Sequence, residues 1–275
     1  MDAMRVAIQG DFGSFHDEAA QQLFGSNITL VACESFRDVF EALSDNAADA
    51  AVVAVENSLY GSLHETYDML LKWRFPIIGE VSLAIHQQLI GWPEATKAEI
   101  SEIYSHPAAL DQCRRYLETH FPNADIVEFF DTAAAVEHIK SEELRGAAAI
   151  ASTAAAELHQ MKILEKDVED EPENITRFVA LSTTSNVIEN ADKAALILTT
   201  DHTSGALYRA LGSFERHGAN LTKIESRPIR GEAFRYQFII DVETDRSTLS
   251  AIEAELVANH CTVTILGHYR KTATL

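Results

Sequence analysis

Asn174-Ile-Thr-Arg-Phe178 places an amide, a hydroxyl, a guanidinium and an aromatic ring within five residues. An acidic run, Glu165 to Glu173, precedes it, and an apolar segment, Phe178-Val-Ala-Leu181, follows. Polar donors at the entrance of a buried strand suit the binding of a small anion that carries a ring, because a guanidinium fork matches a carboxylate. An ordinary strand start has the same composition, so the other polar clusters decide. Glu56-Asn-Ser58 ends an apolar run just before Gly61. Asn57 and Ser58 would project where open α/β sheets bind ligands, although Asn-Ser ahead of Gly is also plain turn chemistry. His106-Pro107 ends a second strand-like run, and Gln112 lies one to two turns into the helix that follows. Gly10-Asp-Phe-Gly13, next to Ser14, joins a strand to a helix without the third glycine of a dinucleotide loop. It reads as a tight turn or as a weak anion-binding helix start.

The eleven histidines are scattered, with no pair spaced for one helix face and no Cys/His cluster. We therefore expect no metal and no cofactor. Cys33, Cys113 and Cys261 lie far apart and are expected as reduced thiols.

These residues need elements to hold them. Arg5–Gln9, Ile28–Ala32, Ala50–Val55 and Ala147–Ala151 read as strands. Residues 14–24, 35–46, 62–72, 108–120 and 132–141 read as helices, with Ser35, Thr132 and Ser152 as N-caps. The alternation implies a mostly parallel sheet covered on both faces. A weak internal echo, an Ala/Val strand leading into a helix with Leu-His at 63–64 and again at 158–159, hints at two similar α/β lobes around a cleft. Thr183 to Asp192 is polar and aperiodic and reads as a linker. Beyond it the order is strand 194–200, helix 204–217 capped by Ser204, strands 221–230 and 234–244 about a Gly231 turn, helix 245–259 and strand 262–269. That is the β-α-β-β-α-β order of a ferredoxin-like module.

The chain has 275 residues and a net charge of -20. Residues 1–185 hold 12 basic and 31 acidic side chains, against 10 and 11 in the remainder. Such an acidic first part argues against nucleic acid, but local donors can still create an anion site within a cleft. No apolar run is long enough to span a membrane, and the chain enters its first strand without a leader. A cytoplasmic protein is expected.

Taken in order, the motifs resemble the prephenate dehydratase family with a C-terminal ACT regulatory domain, over nearly the whole chain. Gly10 to Phe15 with Ala19-Ala20, Glu56-Asn-Ser58, Ser105-His-Pro107 with Gln112-Cys113, and Asn174 to Phe178 are similar to the family's catalytic segments. Gly205-Ala206-Leu207 and Glu225-Ser226-Arg227-Pro228, with Asn220-Leu221 between them, are similar to its effector motifs. His16 departs from a usual small hydroxyl residue, and Tyr208 from a smaller aliphatic one. The resemblance implies an α/β fold: a two-lobed, periplasmic-binding-protein-like catalytic domain over residues 1–185, then a ferredoxin-like ACT domain over 192–275. It also implies a monofunctional enzyme that takes prephenate to phenylpyruvate with loss of carbon dioxide and hydroxide. L-Phenylalanine would be the effector, and the chain would pair as a homodimer or homotetramer.

By the same resemblance Thr176 acts at the departing hydroxyl; by its chemistry His106 is the alternative donor, better matched in pKa. Arg177 is a carboxylate clamp, unless strand alternation turns it to the opposite face from Thr176. Asn57, Ser58 and Gln112 are neutral donors for carboxylate or hydroxyl groups, Ser14 belongs to the opening motif, and Phe178 packs against the ring or in the core. Two rivals remain open at this point: arogenate dehydratase, acting on the amino analogue, and a non-catalytic amino-acid sensor.

Overall fold

The computed structural model describes residues 3–184 and 188–271. Their contacts form two units, one of residues up to Tyr67 with Val81–Phe178, the other of Asp68–Glu80 with the residues from Val179 onward. Part of the expected linker, residues 185–187, lies outside the described residues.

In the first unit β1 (Met4–Gln9), α1 (Phe15–Phe24), β2 (Ile28–Cys33), α2 (Phe36–Ser44) and β3 (Ala50–Asn57) alternate, and β1 pairs in parallel with both β2 and β3. The short β4 (Gly61–Ser62) folds back on β3 and leads to α3 (His64–Trp73) and β5 (Ile77–Ala84). The chain then crosses to a second sheet through β6 (Gln88–Gly91), β7 (Glu102–Ser105), α4 (Pro107–Gln112), α5 (Arg114–His120) and β8 (Asp125–Glu128). It continues through α6 (Thr132–Ser141), β9 (Ala147–Ala151), α7 (Thr153–Leu158) and β10 (Lys162–Glu165), and returns as β11 (Ile175–Ser182). The strand orders are β2-β1-β3-β11-β5 and β10-β6-β9-β7-β8, so two α/β lobes are present. The second sheet is mixed rather than mostly parallel: β6 enters from the first lobe and runs antiparallel to β9 and β10. The two crossings lie side by side, with the Ile85 N–H bonded to Asn174 O at 2.7 Å and the Val168 N–H to Gln87 O at 2.9 Å.

β9 shows why small residues occupy its positions. Ala148 and Ile150 meet Ala109, Leu110 and Leu117 on one face, while Ala147, Ala149 and Ala151 meet Ala135, Ile139 and Ala155 on the other. A strand covered on both faces carries no polar side chain. Two local expectations are corrected. The N-cap of α6 is Asp131 rather than Thr132, because its carboxylate takes the Ala133 and Ala134 amides at 2.9 and 3.0 Å. The helix expected over 108–120 breaks at Cys113, where Asp170 accepts the Arg115 and Tyr116 amides and starts α5 afresh. A cap supplied from 55 residues away leaves no local sequence signal.

The second unit holds β12 (Lys193–Thr199), α8 (Ala206–Arg216), β13 (Asn220–Pro228), β14 (Tyr236–Glu243), α9 (Arg246–Ala258) and β15 (Thr262–Tyr269), in the order β13-β14-β12-β15. This is the ferredoxin-like topology. α8 begins after Gly205, at φ +76°, rather than at Ser204: the left-handed turn needs glycine. Helix residues Ala210, Phe214, Ile252 and Leu256 cover one face of the sheet. Asp68–Glu80 meets the other face. Lys193 holds Glu80 at 3.0 and 2.8 Å, Arg227 holds Asp68 at 2.6 Å, and a Cβ on Gly267 would lie 2.1 Å from Ile77 O.

Candidate active site

The residues singled out in the first lobe converge on the end of β3 and the start of β11. Asn57 Nδ2 donates to Thr176 Oγ1 at 2.9 Å and to Asn174 Oδ1 at 2.6 Å. Its Oδ1 accepts the Leu59 and Tyr60 amides at 2.9 and 3.1 Å, which fixes the orientation of the carboxamide. Because Thr176 Oγ1 accepts from Asn57, its own proton remains available for donation. Ser58 Oγ bridges Glu173 O and the Ile175 N–H, so it fastens the entrance of β11 rather than lining the cleft.

Between the lobes lies a cavity of about 170 Å³ whose wall includes Thr176, Phe178, Ser14, His106 and Gln112. Alternation along β11 puts Thr176 and Phe178 on one face. Arg177 points the other way, held by Glu56 at 3.0 and 3.3 Å and by Tyr67, and is not in the cavity wall. Phe178 is also a core residue, 1% exposed. Ser14 is buried as the N-cap of α1. Gln112 Oε1 accepts from Gln87 Nε2 at 3.0 Å, which leaves the Gln112 amide hydrogens as donors. A larger groove of about 520 Å³ beside α4, α5 and β8 contains none of these site residues.

His106 caps α4: its Nδ1 accepts the Ala108 amide at 3.2 Å, so a neutral ring carries its proton on Nε2. Burial lowers its pKa, against the opposing pull of Asp131 and Glu128. It is a neutral N–H donor near pH 7, and burial takes it further from the charged acid form than its ordinary pKa does. Burial raises the pKa of Asp131, although the two α6 amides hold it back.

Sequence reasoning passed over His16, Gln87 and Asp131 as site residues, and all three line the cavity. His16 had stood out only as a departure from the family pattern. Its Nε2 accepts the Ala54 amide at 3.3 Å, its ring meets Phe178 edge-on at 5.0 Å, and burial lowers its pKa to about 4. Gly10 and Gly13 serve lobe packing. A Cβ on Gly10 would lie 2.6 Å from Asp131 Oδ2, and one on Gly13 3.0 Å from Ala155 Cα. Ser152 Oγ donates to Gly13 O, and Tyr60 reaches Asp111 at 3.1 Å, so these contacts bridge the lobes. His86, far in sequence from the neighbouring Asp167 and Glu169, joins them to bring three possible metal-ligand atoms within 4.8 Å of one another. In the structure Glu169 accepts from His86 and from the Gln87 amide, both at 2.8 Å, which ties the two crossings together.

The sequence profile of the prephenate dehydratase family matches residues 6–186. Arogenate dehydratase 2 of Petunia hybrida is 35% identical over 98% of this chain and 69% of its own length. The chain belongs to the prephenate dehydratase family. Its members are decarboxylating dehydratases, carbon–oxygen lyases of aromatic amino-acid biosynthesis. Prephenate dehydratase from Arthrobacter aurescens, solved in complex with L-Phe, superposes with a TM-score of 0.86 at 29% identity, covering 97% of this chain and 90% of that one. GqqA, described as a novel type of quorum quenching acylase, also superposes at 0.86, with 31% identity over 98% of both chains. No helix among the described residues is long and apolar enough to cross a membrane.

The residues expected at an effector site lie in the second unit. Gly205, Ala206 and Leu207 start α8, and Asn220, Leu221, Glu225, Ser226, Arg227 and Pro228 belong to β13. A register shift between Leu221 and Lys223 leaves Leu221 in the core against the helices. Beyond the shift, Glu225 and Arg227 share the face that meets Asp68–Glu80, with Glu225 3.3 Å from Lys223. Ser226 points the other way. Asn220 bonds Glu243 at 3.2 Å, and Tyr208 is 82% exposed.

Proposed function

We propose that this chain converts prephenate to phenylpyruvate, carbon dioxide and water, under regulation by L-phenylalanine. The observation that carries the reading is the Asn57–Thr176 bond, which orients a hydroxyl proton into a cavity walled by an aromatic ring and neutral donors. In the reaction the bond between C1 and the ring carboxylate breaks, and its electron pair enters the ring. The C4–oxygen bond breaks as the ring becomes aromatic, and the departing hydroxide takes a proton to become water. Thr176 donates to that oxygen. Its hydroxyl is too weak an acid to release the proton outright, so it relays one or stabilises the leaving group by hydrogen bonding. The neutral His106 supplies a second N–H, and Gln112 faces the side-chain carboxylate. Arg177 on the far face leaves the ring carboxylate loosely held, which favours its exit as a neutral molecule, since tight ground-state binding would raise the barrier.

Arogenate is the second reading, favoured by the identity to the Petunia enzyme. Acylase chemistry is not proposed: among the described residues no hydrogen bond joins a hydroxyl of the cavity wall, Ser14, Thr132 or Thr176, to a histidine base. Residues 1–185 form the catalytic part and 192–275 the ACT part in this proposal. Gly205–Leu207 and Asn220–Pro228 take phenylalanine where two copies pair as a homodimer or homotetramer. Supplying prephenate and arogenate side by side and following product formation tests the catalytic reading; no turnover of prephenate would sink it. Calorimetry with millimolar phenylalanine tests the regulatory one: the absence of both binding and a change in rate removes it.

A further inference from the structure

We propose that His16 is a specificity-determining residue whose Nδ1–H donates to the side-chain carbonyl oxygen of prephenate and disfavours the ammonium that replaces that oxygen in arogenate. The inference rests on the catalytic reading above and deepens it. Four observations support it. First, Nε2 accepts the Ala54 amide at 3.3 Å, so its lone pair is engaged and the proton of a neutral ring sits on Nδ1. Second, Nδ1 has no protein partner among the described residues and is not among the buried polar atoms left unpaired, while the ring lines the cavity. A donor open to the cavity awaits an acceptor from the ligand. Third, the ring is clamped, edge-on to Phe178 at 5.0 Å and tilted on Phe36 at 5.7 Å, so the donor direction is set before a ligand arrives.

The fourth observation concerns position. Thr176 and Phe178 lie two residues apart on one strand face, about 7 Å along β11. The proposal sets the C4 oxygen at Thr176 and C1, the opposite corner of the substrate ring, toward Phe178 and the imidazole packed on it. C1 bears the side chain in which the two substrates differ. A carbonyl there accepts the Nδ1–H, whereas an ammonium meets it donor to donor, and the one ring atom that could accept is already occupied by Ala54. The carboxylate of Asp131 lines the same cavity, but its Oδ1 takes two α6 amides and its Oδ2 packs against Gly10. A site whose buried polar group is left unpaired by the wrong substrate discriminates more sharply than one that merely lacks a contact.

The test compares kcat/KM for prephenate and for arogenate in wild type, His16→Phe and His16→Gln. His16→Phe keeps an aromatic ring against Phe178 and removes both nitrogens. His16→Gln keeps a donor. Loss of the acceptor for the Ala54 amide affects both substrates alike and cancels in the ratio. We expect His16→Phe to lower the prephenate value about tenfold, the scale of one hydrogen bond, with arogenate changed by no more than about twofold. His16→Gln should restore the preference to within about threefold of wild type. Equal losses on both substrates, or an unchanged prephenate value, would overturn the assignment while leaving the catalytic reading intact. Wild-type enzyme inert toward prephenate would overturn both. Should circular dichroism show His16→Phe unfolded, His16→Leu takes its place and the same outcomes decide.

Discussion

Two buried polar centres in this molecule are built on opposite plans. In the first unit, Asn57, Asn174 and Thr176 interlock through neutral amides and a hydroxyl beside two histidines that burial keeps neutral. In the second, the sheet face carries full charges in pairs, with Lys193 on both oxygens of Glu80 and Arg227 on Asp68. Charge is placed where the structure must hold one arrangement, and in the proposed reaction fixed neutral dipoles stand where a bound anion changes its charge. A buried cation in the cavity would grip a carboxylate that has to leave as carbon dioxide. A buried pair on the sheet has no such constraint and needs only good geometry.

This contrast can be broken most severely on the charged side. Lys193→Ala strands Glu80 in a buried environment and should destabilise the protein by about 3–5 kcal/mol in urea unfolding. Replacing both, Lys193→Met with Glu80→Leu, should recover most of that loss. If the single change is harmless, the pair is not the fastener described here. On the neutral side, Thr176→Ala should lower kcat at least about 100-fold with the unfolding midpoint held, the usual scale for a proton donor. Near wild-type kcat would remove Thr176 from the chemistry.

The third prediction concerns pH. His16 has a folded pKa of about 4 against an unfolded value near 6.5. Between those values the unfolded chain binds more protons, so this contribution is complete above pH 6.5 and is lost as pH falls toward 4. Wild type should lose about 2 kcal/mol more than His16→Phe between pH 7.5 and pH 5. Equal losses in the two proteins would mean that His16 is not held neutral by burial. The smallest expected effect is that of Asn57→Ala, about a tenfold fall in kcat. The double variant with Thr176→Ala should be no slower than Thr176→Ala alone, since one residue acts through the other. Additive losses would give Asn57 an independent role.

Much of this was legible in the chain itself. The strand over 262–269 and the β-α-β-β-α-β order follow from local periodicity, and the alternation of Thr176, Arg177 and Phe178 follows from the two-residue period of a strand. Ser35 and Ser152 cap their helices because a short hydroxyl reaches the amides next to it. Thr132 and Ser204 fail as caps for the same kind of reason. A carboxylate one residue earlier takes two amides, and a left-handed glycine starts the turn instead.

What the sequence by itself determined is therefore what acts over a few residues: most element types, the caps at Ser35 and Ser152, the face taken by residues of an unbroken strand such as β11, and the motifs that mark the family. The tertiary structure alone decided what acts over tens of residues. It brought Asp170 to start α5, Asn57 to Thr176 across 119 positions, and Glu80 to Lys193 across 113. It turned His16 from an odd residue in a motif into a neutral donor on the cavity wall. Burial and hydrogen-bond geometry set the protonation and direction of a side chain, and both belong to the neighbours that folding supplies.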